Sequence, residues 1–161
     1  YVRVLTRLLC CGAIASIPFI WLGGLGFGWW PLNCLFTLAV ATCLMYLIES
    51  RGSFWKTKTA IVFVLGGAFV EFWWPGIALC LGAWLYFKQP TWGALALWVA
   101  GTAGLTVING NGWACASFVV LVGMAAFIRI EIPRVSRFFY VYYPAHLAVL
   151  LLLGFGMPSH P

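Results

Sequence analysis

The chain has 161 residues, 64% of them hydrophobic and only 7% charged, with a mean hydropathy of +1.02 and a formal net charge of +6. Soluble domains carry about 25% charged residues, so this composition excludes an ordinary soluble domain and points to an integral membrane protein. Nine Lys and Arg against three Glu would suggest nucleic acid in a soluble protein; in so apolar a chain the excess reads as topology, and no nucleic-acid partner is expected.

Counting between charges gives the elements in order. Leu8 to Ile48 is 41 residues without a charge, broken by GGLGFGWWP at Gly23 to Pro31. This predicts two helices of about 20 residues and a turn. Glu49 to Lys58 carries Arg51, Lys56 and Lys58, and the 29 residues from Thr59 to Phe87 are interrupted by Glu71 and by WWPG at Trp73 to Gly76. From Gln89 to Ile128 come 40 uncharged residues broken by NGNG at Asn109 to Gly112, then a basic stretch from Arg129 to Arg137, then the apolar run to Gly154.

Thr59 to Phe87 fits either one tilted helix or two short ones, since a full span needs about 20 residues. Basic residues concentrate on the cytoplasmic side. A turn at Trp73–Pro75 places all nine on one side, whereas a single span would move Lys88, Arg129, Arg134 and Arg137 across. The expected architecture is therefore an all-α polytopic membrane protein of about seven transmembrane helices, a single integral membrane domain over residues 1–161. Tyr1 is cytoplasmic and Pro161 lies outside. Trp29, Trp30, Trp73, Trp74 and Trp113 mark outer turns, and Trp55, Trp92, Phe138 and Phe139 inner ones, as interfacial belts do. Small residues at four-residue spacing, such as Gly24 and Gly28, would permit close helix packing.

Few side chains can carry chemistry. His146 lies nine residues past Arg137, about 13 Å along a helix, deep in a hydrocarbon layer where an ionisable group is costly and marks a functional site. Tyr142 and Tyr143 precede it by four and three residues and can share its helical face. Pro144 removes a backbone donor and crowds the Tyr140 carbonyl, which predicts a kink. The alternative for His146 is a structural hydrogen bond to a tyrosine or a freed carbonyl. Asn33, Glu71, Asn109 and Asn111 fall at outer helix ends. Glu71 would orient an amine or act as a base, or else sit solvated among headgroups. Asn33 would contact substrate or cap its helix, and Asn109 and Asn111 would contact substrate or form a turn. Arg7, at the mouth of the first helix, is the candidate phosphate partner; the other cations would hold lipid headgroups. His160 is expected in a solvated tail. The six cysteines sit in apolar runs with no C-x-x-C, so neither a disulfide framework nor a metal site follows. Neither a nucleotide loop nor a nucleophilic serine motif occurs.

RFFYVYYPAHLAVLLLL near the C-terminus, RLLCCGAIASIPF at Arg7 to Phe19 and LNCLFTLAV at Leu32 to Val40 together resemble the TraX family, membrane proteins that N-acetylate F-type conjugative pilin. Asn109–Gly110 is a weaker match, and Glu49 to Ile128 agrees mainly in hydropathy. Family members carry a further amino-terminal region with an Asp-His pair in a helix and a Gly-Arg segment before a Phe-Pro. Neither is present here, and the chain begins at Tyr1, so an amino-terminally incomplete protein is expected.

The resemblance implies a bacterial inner-membrane acetyltransferase that moves acetyl from acetyl-CoA to the N-terminal amine of a pilin subunit. An α-amine with a pKa near 8 must be neutral to attack, so a base helps. His146 would be that base or would stabilise the oxyanion, oriented by Tyr143 or Tyr142, with Asn33, Glu71 and Asn109 placing the acceptor and Arg7 binding the donor. Two other classes compete: a transporter or channel subunit with His146 on a proton path, which predicts broken helices in corresponding positions of two halves, and a non-catalytic membrane partner of a pilus or secretion machine.

Overall fold

A computed structural model describes residues 1–22, 30–127 and 138–154. Among them are seven α-helices and no strand: α1 (Val2–Trp21), α2 (Cys34–Ser50), α3 (Trp55–Phe69), α4 (Trp73–Lys88), α5 (Trp92–Asn109), α6 (Trp113–Phe127) and α7 (Phe138–Gly154). Two of them, α1 and α5, are long and apolar enough to cross a membrane; α2 and α7 are apolar but shorter. The glycines at 24 and 28, the basic stretch from Arg129 to Arg137 and His160 lie outside the described residues.

Local chemistry explains the boundaries. Asn33 caps α2, its side-chain oxygen accepting the Leu35 N–H at 3.1 Å, and Thr91 caps α5 through the Ala94 N–H at 3.2 Å. Each satisfies a donor that a helix start leaves orphaned. The NGNG turn separates α5 from α6 with Gly110 at φ 63°. Asn111 donates to the Asn109 carbonyl at 3.0 Å and accepts the Trp113 N–H at 3.2 Å. Thr59 to Phe87 is divided into two helices, as charge placement predicted, but the break falls at Val70–Phe72 rather than at Trp73–Pro75. Pro75 sits in the first turn of α4, where its missing N–H has no intrahelical partner to lose. α7 runs through Pro144.

The helices group into two compact units, one holding α1, α2, α3 and α7 and the other α4, α5 and α6. The first is built around Leu8, Ala15 and Phe19 of α1, Leu35 and Ala39 of α2 and Leu147 of α7. Alanines at the contact let the backbones approach. In the second unit α4 and α5 pack most closely, because Gly82 and Gly101 carry no side chain at the crossing. A Cβ on Gly82 would run into the Trp98 backbone, and one on Gly101 into the Leu79 backbone.

Gly101→Val is therefore expected to force α4 and α5 apart and destabilise the protein by about 1–3 kcal/mol, whereas Gly93→Ala on the same helix points into open space and should leave stability unchanged or slightly raised. Thermal unfolding of the two variants in detergent checks this; equal melting temperatures would contradict the interlocked crossing.

Candidate functional site

Residues far apart in sequence meet at the start of α2. Leu32 forms a parallel bridge with Val70: the Leu32 N–H donates to the Phe69 carbonyl at 2.7 Å, and the Glu71 N–H to the Leu32 carbonyl at 2.8 Å. The Trp30 indole N–H adds a bond to the Ala68 carbonyl at 3.0 Å. These bonds fasten the residues before α2 to the end of α3 and bring Glu71 beside the first turn of α2.

Asn33 is fully buried at 0% exposure. Its Nδ2 donates to the Gly12 carbonyl at 2.9 Å and to Ser16 Oγ at 3.0 Å while Oδ1 caps α2. Ser16 Oγ in turn donates to the Gly12 carbonyl at 2.9 Å. One amide thus joins α1 to the start of α2 with both its N–H groups engaged, which suits a dry site where an unmade hydrogen bond is expensive.

Next to it, the Cys34 backbone N–H, the first of α2, points at the Glu71 carboxylate. The helix dipole and this donor favour the charged carboxylate, but burial outweighs them and pushes the Glu71 carboxyl above the usual carboxylate range. The other oxygen, Oε2, is buried with no partner. Tyr143 on α7 completes the group, its hydroxyl facing the Cys34 thiol and its ring packing against the core. On α2, one turn further in, Thr37 is 2% exposed and its Oγ1 is also unpartnered.

The expected residues divide accordingly. Asn33, Glu71 and Tyr143 come together, with Cys34, Gly12 and Ser16 as members that sequence reasoning missed. Cys34 sits inside LNCLFTLAV and Ser16 inside RLLCCGAIASIPF, but an isolated cysteine or serine in an apolar run carries no distinguishing signal. His146 is on the exposed side of α7, where its ring stacks on Tyr142 at 5.7 Å with an interplanar angle of 14°. Tyr142 is itself 50% exposed. Tyr142 and Tyr143, both neighbours of His146 by helical spacing, thus point to different surroundings. Arg7 is exposed on α1. Asn109 closes α5 in the other unit, exposed, with its carbonyl in the α5–α6 turn.

Residues 1–154 match the family described as TraX protein. The chain belongs to the TraX family. No curated protein and no solved structure matches it. TraX membership fits a role connected with pili or conjugation, and the matched span contains the whole Asn33–Cys34–Glu71–Tyr143 group.

Replacing Asn33 with Ala removes a cap and both bonds to α1, and should destabilise this TraX chain by about 1–3 kcal/mol. Asn33→Asp keeps the cap acceptor but faces the Gly12 carbonyl without a donor, so it should recover little of the loss. Full recovery of the melting temperature by Asp would show that the cap alone matters.

Glu71 gives a signed pH effect. A carboxyl whose folded pKa lies above its unfolded value is favoured protonated in the folded state, so stability is greatest below the ordinary carboxylate pKa. It declines as pH rises through that value towards the raised one. Glu71→Gln should therefore raise the melting temperature at neutral pH and remove this decline, measured by thermal unfolding between mildly acidic and neutral pH. A variant less stable than the parent at neutral pH would contradict the assignment.

Proposed function

We propose that this chain is a membrane-embedded N-acetyltransferase that transfers acetyl from acetyl-CoA to the N-terminal amine of a pilin subunit. The observation that carries this reading is the unpartnered Glu71 Oε2, buried close to the start of α2 and within electrostatic reach of Tyr143. An anion with one free acceptor oxygen suits an ammonium group, and a carboxylate of raised proton affinity is a better base for the amine that must be neutral to attack. TraX membership supplies the pilin context.

Exposed apolar stripes support the membrane setting: Ile14, Ile17 and Trp21 on α1, Ile61, Val64 and Leu65 on α3, and Val149, Leu152 and Leu153 on α7. Helical spacing puts each set on one face, which lipid would cover. With the positive residues on the cytoplasmic side, the seven helices are seven passes through a bacterial inner membrane, with the Tyr1 end cytoplasmic and the C-terminus periplasmic.

Acetyl-CoA supplies an acetyl group activated as a thioester. Arg3 and Arg7, both exposed and four residues apart on α1, share a helix face and would hold its diphosphate. Glu71 would take the proton of the acceptor amine as its nitrogen bonds the acetyl carbon and the C–S bond to CoA breaks, the proton then passing to the CoA sulfur. The Tyr143 hydroxyl, turned from Cys34, would donate to the oxygen of the reacting carbonyl. His146, stacked on Tyr142, is the base in the second arrangement of the same reaction, favoured by its place near the middle of α7. Asn33 holds the framework.

Co-expression of the full-length gene with its candidate pilin, followed by intact-mass measurement of the pilin, tests the proposal. An acetyl-sized increase is expected, reduced about a hundredfold in initial rate or more by Glu71→Gln and by Tyr143→Phe at equal membrane expression, the scale of a lost acid–base group. Loss in His146→Ala with activity kept in Glu71→Gln would assign the base to His146. A pilin of unchanged mass with every form of the protein would refute the acetyltransferase reading.

A further inference from the structure

A cavity of the α4–α6 unit has no part in the chemistry described above. It measures about 670 Å³ and lies between Leu79, Ala83 and Phe87 of α4, Trp98 of α5, and Ser117 and Phe118 of α6. It exists because α4 and α5 interlock through Gly82 and Gly101, whereas α6 packs against α5 far less closely. A wedge is left between α4 and α6, floored by α5 and faced by aromatic rings. Trp98 meets Phe118 edge-on at 5.0 Å and Phe87 at 5.5 Å.

Two of the three hydroxyls in the lining, those of Thr102 and Ser117 but not of Tyr86, are engaged within their own helices. Thr102 Oγ1 donates to the Trp98 carbonyl at 2.9 Å, and Ser117 Oγ to the Ala114 carbonyl at 2.9 Å. Apart from the Tyr86 hydroxyl and the Trp98 indole N–H the rest of the lining is apolar. A ligand rich in amides or hydroxyls would leave most of them unsatisfied there, so the occupant is mainly hydrocarbon. Size narrows it further. From Leu79 to Phe87 the wedge is about 12 Å long. A helix with its side chains would fill roughly 900 Å³ over that length, more than the space available, whereas a single acyl chain fits. Charge sets the polar end: Lys88 follows Phe87 at the last turn of α4, its ammonium 5.0 Å from the Trp84 ring centroid. A lysine at the end of an apolar groove matches a phosphate headgroup.

We propose that the α4–α5–α6 wedge is a binding site for one anionic membrane phospholipid, an acyl chain lying against Trp98 and Phe118 and the headgroup at Lys88. The proposal rests on the membrane reading given above and is independent of the acetyltransferase chemistry.

The test uses the full chain purified in mild detergent after carbonate washing of membranes, with native mass spectrometry against phosphatidylglycerol and phosphatidylcholine of identical chains. One phosphatidylglycerol per chain is expected to survive, its occupancy falling about tenfold when Ala83→Phe or Ser117→Phe fills the wedge. Lys88→Gln should bring the two lipids to equal occupancy. Phosphatidylglycerol carrying brominated chains should quench tryptophan fluorescence less in Trp98→Phe than in the parent, a readout that needs no filled variant to fold. Equal occupancy in parent and filled variants, or quenching unchanged by Trp98→Phe, would overturn the site. A preference for phosphatidylglycerol that survives Lys88→Gln would overturn the headgroup assignment, and a chain washed off by carbonate would refute the membrane reading and this site with it.

Discussion

A buried asparagine holds the first unit together. Asn33 has no exposed surface and divides its polar atoms between two helices, its oxygen starting α2 and its nitrogen bound to the Gly12 carbonyl and Ser16 hydroxyl of α1. In an apolar interior such bonds matter less for their net strength than for the penalty of breaking them. Fixing α2 against α1 in this way fixes the Cys34 N–H, which in turn meets Glu71. The Leu32–Val70 bridge brings Glu71 to that donor from the other side.

The consequence is a polarised corner in a hydrophobic protein. A carboxyl at a helix start has a donor and the positive end of a dipole in its favour, yet burial leaves it short of stabilisation and one oxygen without a partner. Such a group costs the fold stability. Tyr143 connects the corner to α7, so the helix bearing the family-like tyrosine–proline–x–histidine segment takes part through its tyrosine while His146 stacks on Tyr142 on the outside.

Much of this order is legible in the chain. Charges and the NGNG turn divide it into seven helical segments because apolar length and turn chemistry are local properties, and the structure places helices on those segments. The α3–α4 break is displaced from WWPG for a non-local reason: a proline is tolerated in a first helical turn, while the actual break is held by Leu32, far away in sequence. Pairing of Cys34 with Glu71 and Tyr143 is equally non-local. Helical spacing could place Tyr142 and Tyr143 both beside His146, but not decide which would turn towards the core. The close α4–α5 crossing was invisible for a similar reason, since Gly82 and Gly101 lie on different helices and no spacing within one helix relates them.

The central claim is that Glu71 is a buried carboxyl awaiting an amine. Infrared difference spectroscopy of the protein against Glu71→Gln reports its protonation directly, with and without a peptide carrying the pilin's N-terminal amine. The account predicts a protonated-carboxyl band that persists above the usual carboxylate range, is absent from Glu71→Gln, and grows at the expense of carboxylate when the peptide binds and Glu71 takes the amine's proton. A carboxylate band already complete at mildly acidic pH and unchanged by the peptide would contradict it.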